Sequence, residues 1–438
     1  MSCTIHIPND YENYDIIENF ITENHLSLNH LDHHTKSINV TGNEKDIEKL
    51  INYIEPLNDL GVVALSNKTG KFKTYINRST KFNSLNDHKN KSTAPSYFKP
   101  TEIASIYQLG SGNSTKANIA IIELGGGYNN ADLKNYWNFL KLTTYPNVVS
   151  ISVDGASNSP GSDADTEVVL DIEVIGGICP NSNIYVYFAP NTDKGFYDAI
   201  YKAVYNTQYP VSVISISWGG PENSWSPTTL QAYNSLFQQA AQKGITVCVA
   251  SGDNGSSDGE SSGNNVDFPS SSPWVLACGG TRLTCPSRTY NNSTTSEIVW
   301  GTIQGNGASG GGQSKVFPKP TYQSNVKNYQ MSGNYRCVPD VCGNADPATG
   351  WLIYLNSSYN IIGGTSAVAP LWSGYLALVG FKKFLNPILY HLYLGNPSIF
   401  HDIKVGNEGT YVATTGYDLA SGLGSPNGGV LTPALKVS

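Results

Sequence analysis

From about Tyr97 to the end, short apolar runs alternate with helical segments, and this alternation restricts the fold more than any other feature. The runs read NIAIIEL, NIYVYFA, VSVISISW, ITVCVAS and WVLACGG, with helices expected near Tyr197–Tyr205 and Thr229–Lys243 between them. β-branched strands bounded by glycine and separated by helices predict an α/β fold, a parallel sheet with helices on both faces. In such sheets the working groups gather at the carboxyl ends of the strands.

The first 78 residues read differently. Helical spacing of Ile16, Ile17, Phe20 and Ile21, and of Ile47, Leu50, Ile51 and Ile54, sits among strand-like runs at Ser37–Val40, Val62–Ser66 and Lys71–Ile76. This predicts a small separate α/β unit. Residues 79–96 are rich in Asn, Lys and Ser without apolar periodicity, and read as a linker before a main domain over 97–438. Charged residues are 14% of the chain and the formal net charge is -7. A low charge density, against about 25% on average, changes little as pH falls and is compatible with work in acid. The acidic balance argues against a nucleic-acid partner. The apolar stretch Ala367–Phe381 is shorter than a bilayer span and reads as a buried helix, so no membrane association is expected. No signal peptide is visible in the opening residues.

Three segments carry chemistry. In IIGGTSAVAP, two glycines precede Thr365 and Ser366, and an apolar helix follows with Pro370 in its first turn. A serine there lies where a helix N-terminus favours an oxyanion, although it could equally be a simple helix cap. A serine nucleophile needs a base, and no histidine lies between residues 89 and 390. Either Ser366 is inert or a carboxylate serves it. In SDADTEVVLDIEVIGG, read as a helix stopped by the two glycines, Glu167 and Asp171 fall at i and i+4 on one face. Two adjacent carboxyls repel when both are ionised, so the pair can hold a proton in acid. Glu173 falls on another face. In VCVASGDNGSSDGE, a buried-looking strand ends at Asp253 in a Gly-Asp-x-Gly turn.

These segments, in order with SISWGGPENSW, VDFPSSSPWVLACGGTRL, GGGQSKVFPKPTYQ, NADPATG and GYDLASGLGSP, resemble the sedolisin (serine-carboxyl peptidase) family, and its kumamolisin branch in particular, over nearly all of 94–438. The resemblance implies a subtilisin-like fold and hydrolysis of peptide bonds in acid. It puts the nucleophile on Ser366, the general base on Glu167, an orienting carboxyl on Asp171 and an oxyanion-hole acid on Asp253. Glu123 and Trp218 would extend the network, and Asp267, Ser217 and Gly219 would line the substrate cleft. It further implies one Ca²⁺ held by Asp402, Ile403, Thr414, Gly416 and Asp418, an oxygen-only set suited to that ion.

By the same resemblance, residues 1–78 would be a shortened, ferredoxin-like activation domain. Any processing would fall around Ser79–Pro95. The expected partners are protein or peptide substrate and this activation domain, in a monomer, and the family points to an extracellular or acidic setting. Tripeptidyl-peptidase action and an inactive binding homologue are the alternatives. The seven cysteines fit no complete disulfide framework; Cys337 and Cys342 could pair or stay free.

Overall fold

The computed structural model describes residues 2–7, 14–32, 37–54, 57, 62–66, 72–82, 96–110, 116–301 and 306–438. Most of the linker, 83–95, and therefore most of the expected processing region, lies outside these. The main sheet has eight strands. Along its path run Ser296–Val299, Leu276–Thr284, Thr246–Ala250, Val213–Ile216, Ala117–Glu123, Ser182–Phe188 and Asn147–Ser152, with Val341–Asn344 also paired to Leu276–Thr284. All the pairings are parallel except that of the edge strand Ser296–Val299. Asn147–Ser152, whose residues are exposed or partly buried, is a strand that the apolar-run pattern misses.

Both faces of the sheet are covered, so its central strands need apolar residues on either side. One face carries the helices Asp165–Ile178 and Val368–Val379, packed together over residues such as Val169, Ile172, Leu371 and Tyr375. Helices Asp193–Tyr205 and Pro227–Gln242 cover the other, around Phe196, Tyr233 and Phe237. Each functional segment then emerges from a strand's carboxyl end. Glu123 closes one strand, Ser217 and Trp218 follow a second, and Asp253 follows a third.

Helix Asp165–Ile178 does not stop at its two glycines. It runs through Gly176 and Gly177 because tight packing, not chain termination, selects them. A Cβ on Gly176 would lie 2.5 Å from the Trp137 ring and 2.8 Å from Pro146, and one on Gly177 would lie 2.6 Å from Pro100. Gly176→Val is therefore expected to destabilise the protein by about 3 kcal/mol through overpacking, measured as a fall in the urea midpoint at unchanged slope.

The N-terminal unit is β-α-β-β-α-β, with strand order Ser27–Asp32, Ser37–Thr41, Ser2–His6, Val63–Ser66, all antiparallel. Its two helices bury Ile17, Ile21, Ile47 and Leu50 against the sheet. It docks on helix Asp193–Tyr205, where His6 meets Asp198 at 2.6 Å and packs on the rings of Tyr197 and Tyr201. Lys194 bridges Asp198 and Asp154, each at 2.6 Å. Burial works against ionisation of Asp198, but the His6 and Lys194 partners outweigh it and hold that carboxyl down at about 2.

The Lys71–Ile76 run does not join this sheet. Lys73–Thr74 instead pairs antiparallel with Trp218–Pro221 of the main domain, Thr74 opposite Trp218 and Lys73 opposite Gly219. The start of the expected linker is a strand too. Asn77–Phe82 pairs antiparallel with Ser358–Gly363, and Ser96–Phe98 pairs with Thr349–Leu355 on the other side of that small sheet.

Candidate active site

Strand Ser358–Gly363 leads directly into the turn that holds Ser366. Gly364 has φ +118°, a conformation open to glycine and strained for other residues. A short turn over Thr365–Ala367 then opens helix Val368–Val379. Ser366 is fully buried, and its hydroxyl donates to Glu167 Oε2 at 3.0 Å. Glu167 sits in the first turn of its helix, and Asp171 one turn later on the same face.

Ser217 Oγ donates towards both oxygens of Asp171, at 3.2 Å each, and Trp218 Nε1 donates to Glu123 Oε2 at 3.0 Å. Glu123, Glu167 and Asp171 thus form one buried carboxyl row. Burial, then the neighbouring charge of Asp171, pushes Glu123 and Glu167 well above the ordinary carboxylate range, while the Ser366 bond opposes the rise at Glu167. Burial likewise raises Asp171, against the Ser217 bond. Glu167 Oε1 and Glu123 Oε1 are buried without an ordinary hydrogen-bond donor. Buried carboxyl oxygens of this kind are satisfied when neighbouring carboxyls share a proton. Glu173 stays outside it, with Oε2 accepting from Tyr354 N at 2.8 Å.

On the opposite side of Ser366, Asp253 Oδ1 accepts from Thr365 N at 2.8 Å and from Thr365 Oγ1 at 2.9 Å. Burial raises its carboxyl to about 6 against these bonds. A Cβ built on Gly364 would lie 2.6 Å from Asp253 Oδ2 and 2.0 Å from the Tyr75 carbonyl oxygen, so both oxygens border one small space that glycine keeps open.

That Tyr75 belongs to the N-terminal chain. Its carbonyl accepts from Ser366 N at 3.1 Å, and its own N–H donates to Ser366 Oγ at 3.0 Å. The Tyr75 hydroxyl donates to Asp267 Oδ2, and Asn77 Nδ2 donates to Asp253 Oδ2 at 2.7 Å. Asp258 lies beside Asp267; burial first raises both carboxyls well above their usual range, with the charge of Asp253 next at Asp258 and that of Asp258 next at Asp267. Of the residues expected in the substrate cleft, Gly219 and Asp267 face this segment. Ser217 is fully buried instead, with its hydroxyl against Asp171 and the Ser366 carbonyl.

Tyr75, Asn77 and Asp258 are absent from the sequence reading of the site. The period-two pattern of FKTYI signals a strand but not the sheet it joins, and Asp258 reads as one more turn aspartate. No histidine contacts Ser366 among the described residues; His401 stacks on Tyr290, ring centroids 3.7 Å apart.

The C-terminal oxygen set is also brought together. Gly416 N donates to Asp402 Oδ1 at 3.0 Å and Thr414 N to Asp418 Oδ2 at 2.7 Å, which folds the loop over both carboxylates. Among the described residues, the carbonyls of Ile403, Thr414 and Gly416 accept no backbone hydrogen bond. Two carboxylates with three undersatisfied carbonyls fit a hard cation. No described group of three or more His, Cys, Asp or Glu side chains has metal-holding geometry, so such a site depends on the main chain. All seven cysteines are free thiols, Cys337 and Cys342 included, and no described helix is long and apolar enough to cross a membrane.

A sequence profile described as the subtilase family matches residues 147–384. Kumamolisin of Bacillus sp. (strain MN-32) is 45% identical over 370 residues, covering 80% of this chain and 66% of that protein. Sedolisin of Pseudomonas sp. (strain 101) is 32% identical over 356 residues, covering 74% and 59%. The chain thus spans about three fifths to two thirds of the length of these relatives. In structure it superposes on Pseudomonas sedolisin, a serine-carboxyl proteinase complexed with two molecules of pseudo-iodotyrostatin. The TM-score is 0.71 at 29% identity, over 78% of this chain and 99% of that one. Motif order, sheet topology and these likenesses agree: the chain belongs to the subtilase family, in the sedolisin branch that includes kumamolisin.

Proposed function

We propose that the protein is an acid-acting serine-carboxyl endopeptidase. The observation that carries this reading is the 3.0 Å bond from Ser366 Oγ to a buried glutamate, in a site where no described histidine could serve as base. Ser366 attacks a peptide carbonyl as its proton passes to Glu167. Asp171 and Glu123 hold the shared protons that orient Glu167 and spread the charge along the row, Asp171 kept in place by Ser217 and Glu123 by Trp218. The developing oxyanion takes a hydrogen bond from Ser366 N and one from the Asp253 carboxyl, provided that acid is protonated. A histidine base would be charged in acid and unable to accept the proton; a carboxyl row that keeps one negative charge can.

A specific feature favours internal cleavage over removal of tripeptides. The segment in the cleft runs continuously through the nucleophile, and the fourth residue upstream, Phe72, is held there through its carbonyl by Asn191 Nδ2 at 3.0 Å. A tripeptidyl-peptidase would need a free amine after the third. The test is degradation of denatured serum albumin across a pH series, with fragments mapped by mass spectrometry. Cleavage in acid at internal bonds is expected; release of tripeptides alone, or no cleavage at any pH, contradicts the reading.

Asp402 and Asp418, with the carbonyls of Ile403, Thr414 and Gly416, would hold one Ca²⁺, which when bound ties the C-terminal loop together by its charge. Since the ion binds the folded chain, calcium at about 100 times its dissociation constant should add roughly 2.7 kcal/mol to stability. In differential scanning calorimetry this appears as a higher Tm in calcium than in chelator, and Asp418→Ala should abolish the difference.

A further inference from the structure

The carboxyl row and Asp253 face an occupant that is part of the protein itself. Two hydrogen bonds, Tyr75 N to Ser366 Oγ and Ser366 N to Tyr75 O, straddle the carbonyl carbon of Tyr75 and leave it beside the nucleophile. Upstream, the antiparallel pairing of Lys73 and Thr74 with Gly219 and Trp218 fixes the register, so the carbonyl cannot slide by one residue without reversing every side chain. Phe72 packs its ring between Trp225 (4.6 Å) and Phe196 (5.1 Å). The Tyr75 ring is buried with its hydroxyl on Asp267, and a Cβ on Gly219 would come within 2.9 Å of that hydroxyl, so the pocket is shaped to the whole side chain. Downstream, Asn77 leads into the strand paired with Ser358–Gly363. The chain is thus held on both sides of a single peptide bond.

We infer that the Tyr75–Ile76 bond is the one this protein cuts in itself, and that the segment's side chains report what the cleft selects in other polypeptides: tyrosine immediately before the cut and an aromatic residue three positions further upstream. This rests on the peptidase reading above. It places the cut upstream of the 79–95 region suggested by composition.

The step balances with water as the only co-reactant. Ser366 Oγ forms an ester with the Tyr75 carbonyl carbon while its proton moves to Glu167. The Tyr75 C–N bond then breaks, and Glu167 returns the proton to the amine of Ile76. Water attacks the ester, gives one proton to Glu167 and its hydroxyl to Tyr75, and the proton is restored to Ser366. Until the cut piece leaves, the segment bars other substrates, because Tyr75 already occupies both the hydroxyl and the N–H of Ser366.

The full-length chain, purified near neutrality and acidified to about pH 4, should be sampled over time by intact-mass and N-terminal analysis, beside denatured serum albumin in the same tube. The first new N-terminus is expected at Ile76, and the Ser366→Ala chain should remain whole. Tyr75→Phe should slow self-cleavage roughly tenfold, the worth of one hydrogen bond to an acidic group, and albumin cuts should be enriched after tyrosine. A first cut elsewhere, or degradation of albumin by a chain that never cuts itself, overturns the inference and leaves the peptidase reading standing. If neither the chain nor albumin is cut, both fall.

Discussion

Ser366→Ala is expected to lower peptide hydrolysis by roughly 10⁴- to 10⁶-fold, as removal of a nucleophile does when the rest of its apparatus acts only through it. The hydroxyl makes two contacts, one to Glu167 and one from Tyr75 N. Without it the carboxyl row has no proton to take. The fold should survive, because the backbone bond from Ser366 N to Tyr75 O and the helix Val368–Val379 do not use the hydroxyl. A kcat measurement on denatured albumin beside a thermal melt checks both parts. Wild-type turnover in the variant would remove Ser366 from the mechanism, and a collapsed melt would make the kinetic comparison void, in which case Ser366→Cys would replace it.

The second large effect is on the alkaline side of the pH–rate profile. Burial raises Asp253 from the usual carboxyl range to about 6. Below that pH the acid is protonated and can donate to an oxyanion; above it the carboxylate can only accept and repels the developing charge. Activity should therefore fall about tenfold per pH unit above 6. Asp253→Ala should cost about 100- to 1,000-fold at the acid optimum, the loss typical of one oxyanion donor. An asparagine keeps a neutral donor at every pH, so Asp253→Asn should lose less and its remaining activity should not decline as pH crosses 6. An optimum near pH 8 in the wild-type chain, or an unchanged alkaline limb in Asp253→Asn, would exclude this role.

Much of the site is readable in the chain because its parts are local. Glu167 and Asp171 meet through helical spacing, Ser366 follows from a glycine pair before an apolar helix, and Asp253 from a strand's end. What sequence leaves open is set by tertiary packing. Gly176 and Gly177 look like a helix stop, yet Trp137, Pro146 and Pro100 require their small size within the helix. FKTYI has the alternation of a strand, but only the assembled cleft shows that it pairs with Trp218–Pro221 rather than with its sequence neighbours. A comparable blind spot is the buried ion pair of Arg336 with Asp340, at 2.5 Å, whose partners include Gln323 from a short helical turn and Tyr390 from the helix Asn386–Gly395.

The pairing of Asn77–Phe82 with Ser358–Gly363 bears on where a shortened protein could safely begin. Those residues form the outer hem of a four-stranded sheet whose next strand carries the turn with the nucleophile. A chain starting at Ile76 keeps that hem. One starting at Ser96 would strip it off and leave a row of backbone donors and acceptors open to other molecules, a recognised route to self-association. For recombinant production, then, the six residues of this strip belong with the catalytic half of the molecule, however much their composition makes them look dispensable.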